Sequence, residues 1–266
     1  AARPRRLRHR PGLDPQGHGA LMGQDPGEIA LDVRDLRKAF GGVHAVDGCS
    51  FAVPRGKISG LIGPNGSGKT TTFNLLTGVV TPDAGRVLYR GAYIAGLKPY
   101  RVFRCGITRT FQITRVFREM TVFENMLSVT GLDVPDRAAR ARAEELLALV
   151  NLTHLRAEYG GRLSYGQQKL LEFARALMTD PDLILLDEPA AGVNRTLLQH
   201  LLDHIHQLQE RGKTILIVEH DMNVIMNHCE RIFVMDYGVK IAEGPPAEIQ
   251  RDERVIEAYF GRRRQR

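Results

Sequence analysis

Short apolar runs alternate with amphipathic stretches along most of this chain of 266 residues. The runs at residues 183–186 and 215–218 are wholly apolar and have the length of buried strands. Over residues 164–178 and 196–209, apolar residues recur instead at the spacing of a helix with one buried face. Strands that alternate with helices in this way predict an α/β fold with a largely parallel sheet.

The earlier part of the chain has a different pattern. Short strands joined by turns are predicted at residues 29–33, 50–53, 57–62 and 86–89, and a further strand is expected to stop at Gln112. From residue 113 to about 161 the pattern becomes helical, and residues 136–150 predict an amphipathic helix with Asp136 at its cap. A helical lobe, at about residues 113–168, is therefore expected to be inserted into the core.

Composition separates one domain from two basic ends. Residues 1–27 are rich in Pro, Gly and Arg, residues 262–266 include four arginines, and both are expected to be disordered tails. Nine arginines lie in these tails, and without these nine charges the net charge of +7 would become −2. With 43% hydrophobic residues, residues 28–261 are predicted to form a single domain.

Several classes of protein are disfavoured by what the sequence lacks. No apolar segment approaches the roughly 20 residues that span a bilayer, and no secretory signal follows the first arginines. The three cysteines, Cys49, Cys105 and Cys229, are too few and too far apart for a disulfide framework or a metal pattern. The cytosol is the expected compartment, and the tails leave contact with nucleic acid or a membrane surface open.

Residues 63–70, Gly-Pro-Asn-Gly-Ser-Gly-Lys-Thr, have the pattern of a phosphate-binding loop between a strand and a helix. The glycines let backbone N–H groups surround phosphate oxygens, and the helix adds its positive end. Lys69 is expected to contact the β and γ phosphates, and the Thr70 hydroxyl to ligate Mg²⁺. The loop thus predicts a site for a nucleoside triphosphate with Mg²⁺.

Polar residues follow the predicted strands at the sheet edge where ligands bind in open α/β folds. Asp187 is the expected partner of Mg²⁺, directly or through water, and Glu188 is expected to polarise the attacking water. His220 follows another strand and is expected to contact the γ phosphate. Gln112, at the border of the lobe, either contacts Mg²⁺ or the attacking water or is an ordinary polar border residue.

Residues 163–167, Leu-Ser-Tyr-Gly-Gln, begin another predicted helix. Ser164 suits an N-cap, and Gly166 leaves the helix end open to an anion. Because this helix end lies beyond the lobe, it is expected to close over a γ phosphate held by a second molecule. The two motifs together predict an ATPase that acts in pairs.

These motifs, in this order, resemble the nucleotide-binding subunit of ATP-binding-cassette (ABC) transporters over roughly residues 28–260. The resemblance implies an ABC-type P-loop NTPase core with an N-terminal antiparallel β subdomain and the inserted helical lobe. It implies a head-to-tail dimer in which each ATP lies between one phosphate loop and the signature of the other chain. Tyr165 and Asn194 stand where the wider family usually has glycine and aspartate.

The resemblance assigns the remaining site residues. Phe40 matches the aromatic residue that stacks on adenine, with Val46 nearby. The expected ATP-binding residues are Phe40, Val46, Gly63, Pro64, Asn65, Gly66, Ser67, Gly68, Lys69, Thr70 and Thr71. The signature is Ser164, Tyr165, Gly166 and Gln167, and the dimer-coupling loop contains Ala191, Gly192 and Asn194. The expected Mg²⁺ ligands are Thr70, Gln112 and Asp187, and the expected catalytic residues are Glu188, His220 and Gln112.

Residues 110–112, 119–125, 187–192, 218–222, 241–244 and 255–261 are similar to the larger cassette of branched-chain amino acid importers. This implies an ATPase on the inner face of the cell membrane, with integral-membrane permease subunits, a second cassette and an extracytoplasmic solute-binding protein as partners. Urea or amide importers and the lipopolysaccharide-export cassette have related sequences, so these solutes stay open.

Two further classes stay open. Soluble ABC-type ATPases act on nucleic acid or ribosomes, but they usually carry two cassettes or a long coiled-coil insertion, and this sequence has neither; nucleic acid is therefore not favoured as a partner. A regulatory nucleotide-binding module without turnover is disfavoured by the presence of Glu188 and His220.

Overall fold

The strands form two sheets in the computed structural model, which describes residues 28–110, 114–131 and 134–260. They are β1 (Ile29–Phe40), β2 (Val43–Pro54), β3 (Ile58–Ile62), β4 (Ala84–Tyr89), β5 (Ala92–Tyr93), β6 (Ile107–Arg109), β7 (Leu183–Asp187), β8 (Thr214–Val218), β9 (Arg231–Asp236) and β10 (Val239–Gly244). A four-stranded antiparallel sheet has the order β2-β1-β4-β5. A six-stranded sheet has the order β10-β9-β3-β8-β7-β6 and is parallel except for β10. The predicted α/β architecture is confirmed.

The middle strands of the large sheet explain where its ligand edge lies. Every residue of β3, β7 and β8 is buried, as expected of apolar strands covered on both faces. Because β3 pairs with β8 and β8 with β7 in parallel, their carboxyl ends meet at one edge. That edge carries the phosphate loop after β3, the acidic pair at the end of β7 and His220 after β8.

Helices cover the large sheet and form the lobe. They are α1 (Lys69–Leu76), α2 (Pro99–Arg104), α3 (Val122–Leu127), α4 (Asp136–Leu149), α5 (Tyr165–Ala176), α6 (Arg195–Glu210), α7 (Met222–His228), α8 (Pro246–Ile249) and α9 (Glu253–Phe260). Short 3-10 turns lie at Thr153–Leu155 and Gly160–Arg162. Within the residues that the structure describes, none of the helices combines the length and apolar character needed to cross a membrane.

Two hydrophobic cores hold these layers together. One lies between the sheets, where the rings of Phe51 and Phe233 have centroids 4.9 Å apart. The other joins the lobe to the large sheet and includes Met126, Leu147 and Leu171 from α3, α4 and α5. Burial of such side chains stabilises the fold by about 1.5–3 kcal/mol each. The lobe is thus packed onto the body that carries the site.

The start of α3 shows how the lobe is ordered locally. Thr121 accepts a hydrogen bond from the backbone N–H of Glu124 at 3.2 Å, and the Glu124 carboxylate accepts one from the N–H of Thr121 at 2.8 Å. The buried side chain of Asn125 bonds to the N–H and the carbonyl of Phe117 at 2.8 and 2.9 Å. The capping box and the hydrogen bonds of the Asn125 amide together fix the conformation of the chain where the lobe begins.

Several predicted boundaries differ from the structure. The strands predicted at residues 29–33 and 50–53 are too short, because β1 and β2 pair along their whole length. The strand expected to stop at Gln112 ends at Arg109, because only Ile107 to Arg109 pair with β7. Asp136 is not the cap of α4 but its first residue, since Pro135 occupies the cap without a side-chain bond. The Asp136 carboxylate instead pairs with Arg140 at 2.7 Å, one turn along the helix.

Candidate functional site

The phosphate loop follows β3 and runs into α1, as predicted from residues 63–70. Gly63 has φ +151°, and a Cβ at this position would lie 2.1 Å from the carbonyl oxygen of Met235. Gly68 has φ +102°, and a Cβ there would lie 2.3 Å from the carbonyl oxygen of Ala45. Both positions therefore exclude any side chain, because β2 and β9 approach the loop too closely.

The side chain of Lys69 lies across the phosphate loop and contacts its first two residues. Its side chain is buried, and Nζ donates to the carbonyl oxygens of Gly63 and Pro64, each at 2.8 Å. Burial lowers the pKa of Lys69, while the carboxylates of Glu188 and Asp187 act in the opposite direction. The ammonium group thus lies where an anion at the loop would meet it.

A polar cavity of about 630 Å³ joins the phosphate loop to the ends of β7 and β8. Its lining residues are Ala45, Asn65, Gly66, Gly68, Lys69, Thr70, Thr71, Glu188 and His220. Eight of these nine had been predicted for the ATP site from the sequence. The cavity combines the amino end of α1, a lysine, a hydroxyl and a carboxylate–imidazole pair, which suits a phosphorylated ligand.

Glu188 and His220 form a direct pair in this cavity. Nε2 of His220 lies 2.6 Å from Oε1 of Glu188, and the imidazole is 44% exposed against 12% for the carboxylate. Glu188 has φ +49°, a left-handed conformation that costs a residue other than glycine about 1 kcal/mol or more. Its backbone N–H donates to the carbonyl of Val218 at 2.9 Å, which ties the ends of β7 and β8 together.

Asp187, the last residue of β7, is not among the residues that line this cavity. Its side chain is 3% exposed, and Oδ2 lies 2.6 Å from Nη2 of Arg109. The backbone N–H of Asp187 also donates to the Thr110 hydroxyl at 3.3 Å. These two contacts hold Asp187 between the ends of β6 and β7, and its arginine partner was not anticipated from the sequence.

Two other residues near the pair were missed by the sequence analysis. Lys169 of α5 donates to the carbonyl oxygen of Glu188 at 2.8 Å. Glu219 is buried and accepts from the N–H groups of Ala190 at 2.6 Å and His220 at 3.0 Å. Burial raises the pKa of Glu219, although these N–H groups oppose that rise. The position of Glu219 between an apolar strand and His220 could have indicated its role from the sequence.

The adenine assignments are only partly consistent with the structure. Phe40 ends β1 with 48% of its surface exposed, as a stacking residue requires, and Nζ of Lys38 lies 5.3 Å from its ring centroid. Val46 is fully buried in the core between the sheets, so its side chain does not line the cavity, and its assignment to the ATP site stays a prediction. Its neighbour Ala45 lines the cavity instead. Gln112 lies outside the described residues.

The signature begins α5 as a capped helix. Ser164 accepts from the N–H of Gln167 at 3.3 Å, and the Gln167 side chain accepts from the N–H of Ser164 at 2.9 Å. The predicted cap at Ser164 is therefore confirmed. Tyr165 is 42% exposed, and a Cβ at Gly166 would meet Cδ2 of Leu197 at 2.4 Å.

The loop before α6 packs against this helix end. A Cβ at Gly192, where φ is +72°, would lie 2.6 Å from Cε1 of Tyr165. Asn194 caps α6 by accepting from the N–H of Leu197 at 2.9 Å. Ala191 donates its N–H to the carbonyl of Glu188 at 3.1 Å. The signature, the loop and the acidic strand end are thus in contact within one chain.

A groove of about 240 Å³ separates the lobe from the large sheet. We call it the lobe groove. It is lined by Thr77, Val79, Pro99, Val102, Phe103, Ile107, Thr108, Arg109, Val129, Glu172, Arg175 and Ala176. Phe103, Val79 and the nearby Tyr100 expose large apolar surfaces there, between 37% and 54% of each residue. The groove can accept an apolar segment of a partner.

Comparison with known proteins gives consistent matches. Residues 46–191 match the family described as ABC transporter, and residues 239–264 match the one described as branched-chain amino acid ATP-binding cassette transporter. The chain is 40% identical over 248 residues to the high-affinity branched-chain amino acid transport ATP-binding protein BraF of Pseudomonas aeruginosa, covering 87% of this chain and 97% of that protein.

Two solved structures extend the comparison. An ATP-binding cassette of an ABC transporter in its ADP conformation has a TM-score of 0.79 and 35% identity, covering 88% of this chain and 99% of that one. A dimeric cassette in a post-hydrolysis state with ADP and phosphate has a TM-score of 0.74 and 25% identity, covering 81% and 98%.

Proposed function

Because the chain belongs to the ABC transporter family, whose cassettes bind and hydrolyse ATP, we propose that it is the ATPase subunit of a transporter for branched-chain amino acids. The observation that carries this proposal is the cavity that brings Lys69, Thr70, Glu188 and His220 together. The match of residues 239–264 and the relation to BraF support the solute class. The direction of transport that we propose is import.

ATP is held by the phosphate loop and the exposed ring at the end of β1. Backbone N–H groups of the loop from Asn65 to Thr70 and the ammonium group of Lys69 bind the β and γ phosphates. Phe40 stacks on the adenine base. Burial lowers the pKa of Lys69, and the nearby carboxylates of Glu188 and Asp187 oppose this lowering by favouring the ammonium form.

Hydrolysis is driven from the end of β7. Glu188 accepts a proton from a water molecule while the oxygen of that water bonds to the γ phosphorus. The bond from the γ phosphorus to the bridging oxygen of the β phosphate then breaks. ADP and inorganic phosphate are the products. His220, 2.6 Å from Glu188, orients the carboxylate and contacts the γ phosphate. Gln112 is proposed to help position the water.

The oxygen donors near the loop fit Mg²⁺, which prefers hydroxyl, carboxylate and amide oxygens together with water. Thr70 lines the cavity, and we assign Asp187 and Gln112 as the other residues that would hold the ion, Asp187 through water. Bound Mg²⁺ would neutralise charge on the β and γ phosphates. The protein contributes by fixing the orientation of these oxygens.

We propose that two cassettes, alike or different, close head to tail over two ATP molecules. The capped helix end at Ser164, Tyr165, Gly166 and Gln167 would bind the γ phosphate of the partner. Its contact with Gly192 would connect that event to the loop of Ala191, Gly192 and Asn194. The dimeric relative with ADP and phosphate supports the pairing of two cassettes.

The lobe groove is the proposed contact with the permease. Its apolar lining suits a short helix of an integral-membrane subunit, and Glu172 and Arg175 supply charges at its wall. Such a contact places the chain at the inner face of the cell membrane. An extracytoplasmic solute-binding protein completes the proposed complex.

The test is a pull-down of the chain from its native membranes, followed by mass spectrometry and by uptake of labelled leucine in cells that lack the gene. Recovery of a multi-span permease and a second cassette, with uptake that depends on the gene, is the expected result. Recovery of ribosomal proteins, or uptake of leucine that is unchanged while urea uptake is lost, would overturn the assignment.

A further inference from the structure

Arg109 makes an ion pair in the interior of the protein, next to the proposed Mg²⁺ site. The side chains of Arg109 and Asp187 are 7% and 3% exposed, and Nη2 lies 2.6 Å from Oδ2. Burying two charges is costly, and apolar residues of similar volume often serve stability equally well. The pair therefore calls for a role beyond packing.

The same guanidinium is held from the opposite side by α1, the helix that follows the phosphate loop. Nη1 donates to Oδ1 of Asn74 at 2.6 Å and lies 3.4 Å from the Thr77 hydroxyl. The guanidinium carbon lies 5.5 Å from the centroid of the Phe73 ring. The planar fork of an arginine is suited to such a fixed arrangement, and a lysine would offer one point charge in its place.

Three elements therefore converge on one side chain. Arg109 is the last residue of β6, Asp187 is the last residue of β7, and Asn74 lies in α1. The next residue, Thr110, accepts the backbone N–H of Asp187, which gives a second bond between the same strand ends. With Oδ2 engaged by Arg109, the rotation of the Asp187 carboxylate is fixed relative to the phosphate loop.

We propose that Arg109 is a positioning residue for Mg²⁺: by holding Oδ2, it fixes the orientation of the Asp187 carboxylate that would serve the metal of bound MgATP. This inference rests on the proposed function, because it requires Asp187 to serve the metal. Residues that orient metal ligands in this way commonly change metal affinity by about 10- to 100-fold when they are replaced.

The test compares the full chain with three variants. Arg109→Gln removes the fork, and Asn74→Ala leaves both charges in place while releasing one side of the fork. Arg231→Gln is the matched control, since Arg231 pairs with Glu243 between β9 and β10. The affinity for a fluorescent ADP analogue is titrated with Mg²⁺ and without it, and the electron paramagnetic resonance spectrum of Mn²⁺ added with ADP reports the metal environment.

In the wild-type chain, Mg²⁺ is expected to strengthen nucleotide binding. In Arg109→Gln, about 10-fold more Mg²⁺ should be needed, the Mn²⁺ spectrum should change, and affinity without metal should stay within about twofold. Asn74→Ala should show a smaller shift of the same kind. Arg231→Gln should match the wild type in each measurement.

Each other outcome is decisive. If Mg²⁺ has no effect on nucleotide binding by the wild-type chain, the proposed function fails. If the wild type responds but Arg109→Gln and Asn74→Ala need the same Mg²⁺ concentration, the positioning role is wrong. A loss of affinity that is equal with and without metal would mean that Arg109 only supports the fold. If Arg109→Gln does not fold, Asn74→Ala decides alone.

Discussion

The ammonium group of Lys169 lies 2.8 Å from the carbonyl oxygen of Glu188 and 3.4 Å from that of Pro189. Lys169 belongs to α5, which begins with the signature, whereas Glu188 follows β7. One side chain thus connects the helix proposed to contact the partner's ATP with the residue proposed to activate water in its own site.

Replacement of Lys169 by Met should separate these two elements. We expect the turnover number to fall at least tenfold while ATP affinity changes little, because the phosphate loop is untouched. The free energy of unfolding should fall by about 1–3 kcal/mol, since two carbonyl groups lose a charged donor. Steady-state ATPase assays and thermal unfolding measure both effects. Lys213→Met, which removes a cation paired with Asp180, is the control and should retain turnover; equal turnover in the two variants would refute the connection.

Replacement of Glu188 by Gln should nearly abolish hydrolysis. A general base contributes about 10²- to 10⁴-fold to a rate, so we expect the turnover number to fall within that range. Nucleotide binding should persist, and the ATP-bound dimer should last longer in size-exclusion chromatography. Glu210→Gln, an exposed position at the end of α6, should behave as the wild type. Undiminished turnover of the Glu188 variant would remove this residue from the mechanism.

Gly166 distinguishes contact with a partner from packing within the chain. An alanine methyl group would meet Cδ2 of Leu197 at 2.4 Å, and the end of that flexible side chain can move. We therefore expect Gly166→Ala to keep the melting temperature within a few degrees yet to lower ATPase activity about tenfold, because a side chain would narrow the helix end proposed to receive the partner's γ phosphate.

The double variant Gly166→Ala/Leu197→Ala relieves the contact inside the chain. Activity should stay low if the partner's phosphate is the affected group. Recovery of activity to the level of Leu197→Ala alone would show that the defect is local packing. That result would count against a role for Gly166 across the dimer.

Glu219 should make stability depend on pH. Burial raises its pKa in the folded chain, so the folded state holds this proton more tightly than the unfolded state does. Its contribution is fully present below the unfolded pKa of about 4 and is lost as the pH rises through the folded value. The free energy of unfolding of the wild type minus that of Glu219→Gln should therefore decrease from about pH 4 towards neutrality. Urea denaturation at several pH values measures this difference, and a constant difference would contradict the assignment.

The parts predicted well from sequence are those whose geometry is local. The phosphate loop and the Ser164 cap depend on residues within one turn or loop, so residue types at fixed spacing determine them. The parallel strands of the large sheet could also be anticipated, because wholly apolar runs predict buried strands. Their order along the chain predicts that Glu188 and His220 lie at one edge of the sheet, although the distance of 2.6 Å between Nε2 of His220 and Oε1 of Glu188 could not be foreseen.

The parts that could not be predicted depend on contacts that a local pattern of residues does not fix, namely the register of paired strands and ion pairs between distant residues. Val46 was assigned to the adenine site one residue away from Ala45, which lines the cavity. The pairing of β1 with β2 shifts register at four places, one of them at Lys38 and Ala39, so alternation along β2 does not tell which face is buried. The ion pair of Arg109 with Asp187 joins positions 78 residues apart, and no local pattern contains it.

The left-handed backbone of Glu188 carries a consequence for the evolution of this chain. At that position glycine or asparagine would relieve conformational strain, and neither could accept a proton from water. Selection for thermal stability alone should therefore favour a cassette that folds and binds nucleotide but no longer hydrolyses it. Only selection for transport will retain Glu188 in its strained conformation, so a glutamate at this position in descendants would indicate that hydrolysis has been maintained.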